Sequence, residues 1–364
     1  MSNVVYFSKM FQAVPHLAQV ASQLPGTFVS TRRSTLQATR RLYPALDTAR
    51  YLRWLGPFSQ GARLLKKADV IVTGSPYRSF LQPYGAKKCT VFHGTYMMLS
   101  KQALLANSHF DLLCVTGPRM QQMIQRFAPE ISLNTVATGF LPFCEFPAAS
   151  AEQRQHTLTK LKLTPELKTV VYTSSRRGEG SWDLVAEQLV RTTPSSFNLV
   201  LRPHPSQSLT PRRADRASFR RVIQLAAARP NTLVDLTSHP LPSLLSVADL
   251  LISDANSPAE ESLFYDVPQL FIETALYNAD LIREQAVREA MHEEDTAQMQ
   301  TLYACGPRQF VAGPINYAEL IERAIAEAPT YARQRASYFS WVFGERDQCA
   351  HQRVAQAIRT QLLS

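Results

Sequence analysis

Leu199-Val200-Leu201-Arg202-Pro203-His204-Pro205 reads as a short buried strand that ends abruptly in two cationic side chains set among prolines. A brief apolar run bounded by turn residues suits a strand covered on both faces, as in a parallel sheet. Ala248-Asp249-Leu250-Leu251-Ile252-Ser253-Asp254-Ala255-Asn256-Ser257-Pro258 repeats the form, with polar residues leading into a helix that carries Glu260 and Glu261. Working outward, strand-like runs rich in β-branched and aromatic residues recur at 4–7, 27–30, 70–73, 90–92, 112–116 and 135–138. A second series follows at 169–173, 199–201, 232–235, 250–253 and 269–272. Helical stretches intervene at 16–24, 61–67, 118–127, 182–190, 219–228, 241–247 and 259–265, and helix dominates beyond about residue 277. Strand and helix in alternation predict two doubly wound parallel sheets, an α/β fold. The proline-bearing stretch 141–152 reads as the linker between them.

Composition narrows the function classes. A chain of 364 residues suits two domains, and 45% hydrophobic with 19% charged residues describes a globular protein. The five cysteines (Cys89, Cys114, Cys144, Cys305, Cys349) show no metal-site spacing and read as buried, reduced thiols. Residues 1–7 have no signal-peptide pattern, and no apolar run is long enough to span a bilayer. Charge is uneven: residues 1–150 hold 16 basic and 5 acidic side chains, the remainder 23 and 24. A basic first half points to a polyanionic partner, with ordinary solubilising charge as the alternative. The Arg-rich stretch 32–67 adds Trp54, Leu55 and Phe58 as candidates for an interfacial contact.

Ligands of open parallel sheets bind at the carboxyl ends of strands, so polar clusters there are the candidate sites. His93, after Val91-Phe92 and before Gly94-Thr95, can take a proton from a hydroxyl near neutral pH; a capping or core histidine is the alternative. Arg202 offers a fork of donors for phosphate oxygens or a nearby carboxylate, and prolines stiffen the turn around His204; a purely structural loop is the lesser alternative. Ser253, Asp254, Asn256 and Ser257 crowd a helix start, as phosphate contacts or as simple caps. Thr173-Ser174-Ser175-Arg176-Arg177-Gly178-Glu179-Gly180-Ser181-Trp182 is a weaker phosphate candidate. Neither GxGxxG nor GxxxxGK[ST] occurs, which removes support for dinucleotide-dependent dehydrogenases and P-loop NTPases. No Asp-x-Asp pair is present, so no metal-held nucleotide is expected.

The order His93-Gly94-Thr95, then Arg202-Pro203-His204-Pro205, then Ser253-Asp254-x-x-Ser257 resembles the CDP-glycerol glycerophosphotransferase family of teichoic-acid primases and polymerases. The segment Phe343 to Val354 is similar to that family's closing Asp-Gly-x-x-Ser-x-Arg motif, with Gln348 where the family has glycine. Phe110 to Pro118 resembles its strand before a Ser-Gly-like turn. The resemblance implies a GT-B fold: an acceptor-binding Rossmann-like domain over 1–145, a donor-binding one over 152–335, and a helical segment 336–364 packing back across a central cleft. By that analogy His93 is the general base, with Gly94 and Thr95 on the acceptor side. His204 acts with Arg202 on the donor pyrophosphate, the two imidazoles converging across the cleft. Ser174, Ser253, Asp254, Asn256, Ser257 and Arg353 complete the donor side, with no metal and no cofactor. The implied partners are a CDP-linked polyol and an anionic glycan or lipid-linked acceptor, not nucleic acid. The implied place is the cytoplasm, with peripheral contact to an anionic membrane at its inner face. A GT-B glycosyltransferase using a nucleotide sugar is the second reading, and a non-catalytic polyanion-binding protein the third.

Overall fold

The computed structural model describes residues 3–364. They form two compact units. The first runs to Glu145 and takes in Glu289–His292 and Ser340–Ser364; the second comprises Phe146–Arg288 and Glu293–Phe339. The closing helix, Ala350–Leu362, therefore belongs to the first unit, where it packs on the helix Val14–Gln23.

The first unit is built on seven strands: β1 (Val4–Phe7), β2 (Gly26–Ser30), β3 (Thr48–Arg50), β4 (Val70–Thr73), β5 (Lys87–Thr90), β6 (Leu112–Val115) and β7 (Thr135–Ala137). They pair in parallel in the order β3-β2-β1-β4-β5-β6-β7. β1, β4 and β6 are buried along their whole length, which is why they read as unbroken apolar runs. Strand order reverses between β1 and β4, so the carboxyl ends of those strands open a crevice.

The second unit repeats the plan with β8 (Lys168–Thr173), β9 (Phe197–Arg202), β10 (Thr232–Val234), β11 (Leu250–Ser253), β12 (Gln269–Glu273) and β13 (Arg308–Phe310). Their order is β10-β9-β8-β11-β12-β13, again parallel, with the switch point between β8 and β11. Trp182, Val185 and Leu189 of one helix and Phe219 and Val222 of another join strand residues in one core.

Several elements differ from the sequence reading. β5 spans Lys87–Thr90, three residues upstream of the expected 90–92, because buried Val91 and Phe92 follow the strand; Phe92 is left-handed at φ 57°. The edge strands β3 and β13 are short and mostly polar and carry no apolar signature. The helix Arg33–Leu42 hides behind its arginines, although Leu36, Ala38 and Thr39 are buried. Cys89, Cys114 and Cys305 are buried, but Cys144 is half-buried and Cys349 is exposed at the start of the last helix. Among the described residues no helix is long and apolar enough to cross a membrane. Trp54 and Phe58 stand 80% and 79% exposed on the turn Arg53–Phe58, while Leu55 is half-buried.

Candidate functional site

In the first unit His93 lies three residues beyond β5, and its ring is half-buried. Nδ1 is 2.5 Å from the carbonyl oxygen of Gly74, 3.0 Å from Ser75 Oγ and 3.2 Å from Tyr96 Oη. A carbonyl only accepts, so Nδ1 carries the proton and Nε2 keeps its lone pair, the form of imidazole that can take a proton. Burial lowers the His93 pKa from the ordinary imidazole value, against an opposing pull from the Gly74 carbonyl. The ring is thus a neutral base. The approach to Gly74 is close: a Cβ there would lie 2.8 Å from the Ala13 Cβ and 3.3 Å from the His93 Cβ. Phe92 and Tyr96, at φ 57° and 49°, flank His93 in the left-handed region, each costing on the order of 1–3 kcal/mol. Strain of this kind persists only where surrounding packing enforces it.

Two side chains supply that enforcement. His16, buried on the helix Val14–Gln23, accepts the Gly94 N–H at 3.2 Å through Nε2. Its pKa is pushed down to about 3 by burial and by nearby His93, so it stays neutral. Arg119, fully buried, donates to the carbonyl of Thr95, and its guanidinium lies 5.4 Å from the Trp341 ring centroid. Gly94 and Thr95 were expected to contact acceptor. In the structure the Gly94 N–H bonds His16, the Thr95 carbonyl accepts from Arg119, and Thr95 is fully buried. Neither His16 nor Arg119 is legible as a site residue, since each sits on the buried face of an ordinary helix.

In the second unit His204 follows β9 and caps the helical turn Pro205–Ser208. Its Nδ1 accepts the backbone N–H of Ser206 at 3.1 Å and lies 2.7 Å from Ser206 Oγ. Nδ1 is therefore the acceptor, and in the neutral ring the proton sits on Nε2. Burial, then Arg176 and Arg202, push this pKa down to about 4. The two imidazoles hold opposite tautomers, one presenting a lone pair and the other an N–H.

Arg202 has an internal partner rather than an open fork. It is 5% exposed, and its Nη1 donates to Asp235 and, at 2.7 Å, to the carbonyl of His239. The reason is Asp235, which has no exposure at all and requires a counter-charge. Asp254 is likewise a clamp. Fully buried, it accepts the N–H groups of Ser175 at 2.5 Å and Ser181 at 3.1 Å, together with the Ser181 hydroxyl. It pins the loop after β8 to the loop after β11, and burial raises its pKa to about 6. A carboxylate so engaged holds the two loops together and has its acceptor capacity taken up by Ser175 and Ser181.

What remains around this switch point is a set of polar atoms with no partner. The hydroxyls of Thr173, Ser174 and Ser253 and the Oδ1 of Asn256 are buried and unbonded among the described residues. Asn256 Nδ2 reaches Ser175 Oγ at 3.4 Å, and Ser257 opens the helix Ser257–Ser262. Buried hydroxyls left unpaired are costly, which makes this cluster the candidate for polar contacts from outside the chain. Tyr277, unremarked in the sequence, hydrogen-bonds Ser175 and closes this cluster. Arg353 belongs to the first unit; it donates to the Thr138 carbonyl at 2.7 Å and pairs with Asp347 through two bonds of 2.8 Å.

No protein-family model and no curated protein matches the sequence. Solved structures do. The wall teichoic acid polymerase TagF, as a His-to-Asn variant with CDPG, aligns at TM-score 0.71 and 14% identity over 99% of this chain and 89% of its own. MnaA of S. aureus with UDP aligns at 0.60 and 14% identity, over 100% and 97%. UDP-GlcNAc 2-epimerase from Neisseria meningitidis, bound to UDP-GlcNAc, aligns at 0.54 and 12%, over 99% of each chain. Identities this low speak to fold alone, and with two parallel sheets of seven and six strands the chain adopts the GT-B fold.

Proposed function

We propose that the chain is a transferase that moves glycerol phosphate, or a related polyol phosphate, from a CDP-linked donor to a hydroxyl of an anionic cell-surface acceptor. The observation that carries this reading is the pair of neutral imidazoles at strand ends, one aimed as a base and the other as a donor. The acceptor oxygen attacks the donor's β-phosphorus while His93 Nε2 takes its proton. The bond from that phosphorus to the bridging pyrophosphate oxygen breaks, and CMP leaves with the electron pair. His204 Nε2–H donates to the phosphate oxygens as charge builds on the leaving group. Thr173, Ser174, Ser253 and Asn256 supply further hydrogen bonds to the donor phosphates. Asp254 holds their loops in register, and Arg202 fixes the end of β9. The resemblance of the motifs to the glycerophosphotransferase family and the likeness of the fold to TagF support this choice of donor. The basic first half supports an anionic acceptor held near an anionic membrane face.

Incubation of the purified chain with CDP-glycerol, CDP-ribitol and UDP-sugars, scoring the nucleotide released, tests the reading. CMP from the CDP-polyols and nothing from the UDP-sugars is the expected result. UDP from a nucleotide sugar, with CDP-polyols inert, replaces it with the glycosyltransferase reading.

A further inference from the structure

The loop after β4 touches His93 at one end and a separate cavity at the other. Ser75 contacts the His93 ring, and two residues later Tyr77, left-handed at φ 41°, turns its hydroxyl back toward β1. That hydroxyl accepts the backbone N–H of Lys9 at 3.1 Å and lies 3.3 Å from Ser8 Oγ. Beside them opens a cavity of about 460 Å³ lined by Lys9, Tyr51, Arg53 and the run Tyr77 to Phe80. Lys9 follows β1, Tyr51 follows β3 and Tyr77 lies beyond β4, so the cavity occupies the switch point of the first sheet. This is where open α/β sheets take ligands.

The lining has one sign of charge. Three of its side chains are cationic and none is acidic. The five acidic residues before residue 146 are all placed elsewhere. Asp47, Asp69 and Asp111 each immediately precede a strand, β3, β4 and β6, which puts them at the opposite, amino edge of the sheet. Glu130 pairs with Lys101, and Glu145 accepts from Gln19. The Lys9 ammonium sits 5.1 Å from the Tyr77 ring centroid and 5.2 Å from that of Phe80, and rings are its neighbours rather than carboxylates. Burial, then Arg53 and Arg32, lower its pKa, as expected for a cation gathered with other cations. The aromatic wall is packed: Phe80 stacks on Phe7 at 4.4 Å and meets Tyr51 edge-on at 5.0 Å.

We propose that Lys9, Arg53 and Arg78 form a phosphate-binding subsite that grips a phosphodiester of the acceptor, its polyol lying along Tyr51 and Phe80. A held phosphate gathers the three cations, with the arginines offering forked donors and Lys9 a point charge. The shared loop 74–77 then sets the distance between that phosphate and the hydroxyl presented to His93. This rests on the transferase reading above, but binding is measured without a donor, so the two fail separately.

The test titrates the full chain with glycerophosphoglycerol, a soluble phosphodiester, by calorimetry, and in a second arm sediments it with phosphatidylglycerol vesicles. Saturable binding is expected for the wild type, weakened about 10-fold or more in Lys9→Met and in Arg78→Gln with an unchanged thermal midpoint. Should Lys9→Met fold poorly, the exposed Arg53 and Arg78 carry the test as Arg53→Gln and Arg78→Gln. Binding to vesicles but not to the soluble diester, lost in the same variants, keeps the subsite and assigns its phosphate to a lipid headgroup. Equal binding by wild type and variants, or no binding in either arm, overturns it. Intact CMP release alongside such a failure overturns the subsite only.

Discussion

Replacing His93 with alanine lowers kcat/KM for CMP release by about 10²–10⁴-fold while leaving the fold intact, the loss typical of a removed general base. The residue is half-buried, and the ring's hydrogen bonds among the described residues run through Nδ1, to Gly74, Ser75 and Tyr96, so truncation removes the Nε2 lone pair together with those bonds and the edge-on contact to Tyr96. The wild-type pH profile carries the same assignment. His93 must be neutral to accept a proton, so kcat/KM falls as pH drops through its pKa. Because burial holds that pKa below 6.5, the acid limb lies below the range of a free imidazole and activity is flat through neutrality on that side. A His93→Ala enzyme that keeps turnover within a few-fold of wild type, or an unchanged acid limb in His93→Gln, removes His93 from the mechanism.

Arg202→Met destabilises the chain by about 3–5 kcal/mol at neutral pH, since it takes from the buried Asp235 its guanidinium partner and leaves only His239 and the Ser238 N–H. Burial alone would raise the Asp235 pKa, but Arg202, then His239 and the Ser238 N–H, outweigh it and hold the group below the usual carboxylate value. A depressed carboxylate stabilises the fold above its unfolded pKa, and that contribution is lost as pH falls through the folded value. The variant lacks this contribution, so the stability gap between wild type and Arg202→Met is widest near neutrality and narrows in acid. Urea denaturation at several pH values measures it. A variant as stable as wild type that loses only donor affinity would instead return Arg202 to the role of a direct phosphate ligand.

Much of the fold was legible because buried parallel strands announce themselves. Val4–Phe7, Val70–Thr73 and Leu250–Ser253 are continuous apolar runs, and the structure begins and ends them at the residues the pattern marks. Edge strands lack the signal because one side needs no apolar cover; Thr48–Arg50 and Arg308–Phe310 are set by pairing with a neighbour rather than by composition. Within the site, His93 and His204 are visible as polar residues where apolar runs stop. Their tautomers are not, because those depend on a carbonyl 19 residues back from His93 and an N–H two residues on from His204. The internal commitment of Arg202 was hidden for the same reason: Asp235 is 33 residues away in sequence and beside it in space. The cationic cavity draws on three separate stretches, which only the topology of the first sheet brings together.

The tautomeric states of two rings underlie the whole scheme, and long-range ¹⁵N–¹H correlation spectra of imidazole-labelled protein at neutral pH read them directly. His93 is predicted to show a protonated Nδ1 and a bare Nε2, and His204 the reverse, with neither ring charged. A His93 ring that is charged, or that carries its proton on Nε2, would contradict the account, because no lone pair would then remain to take the acceptor's proton.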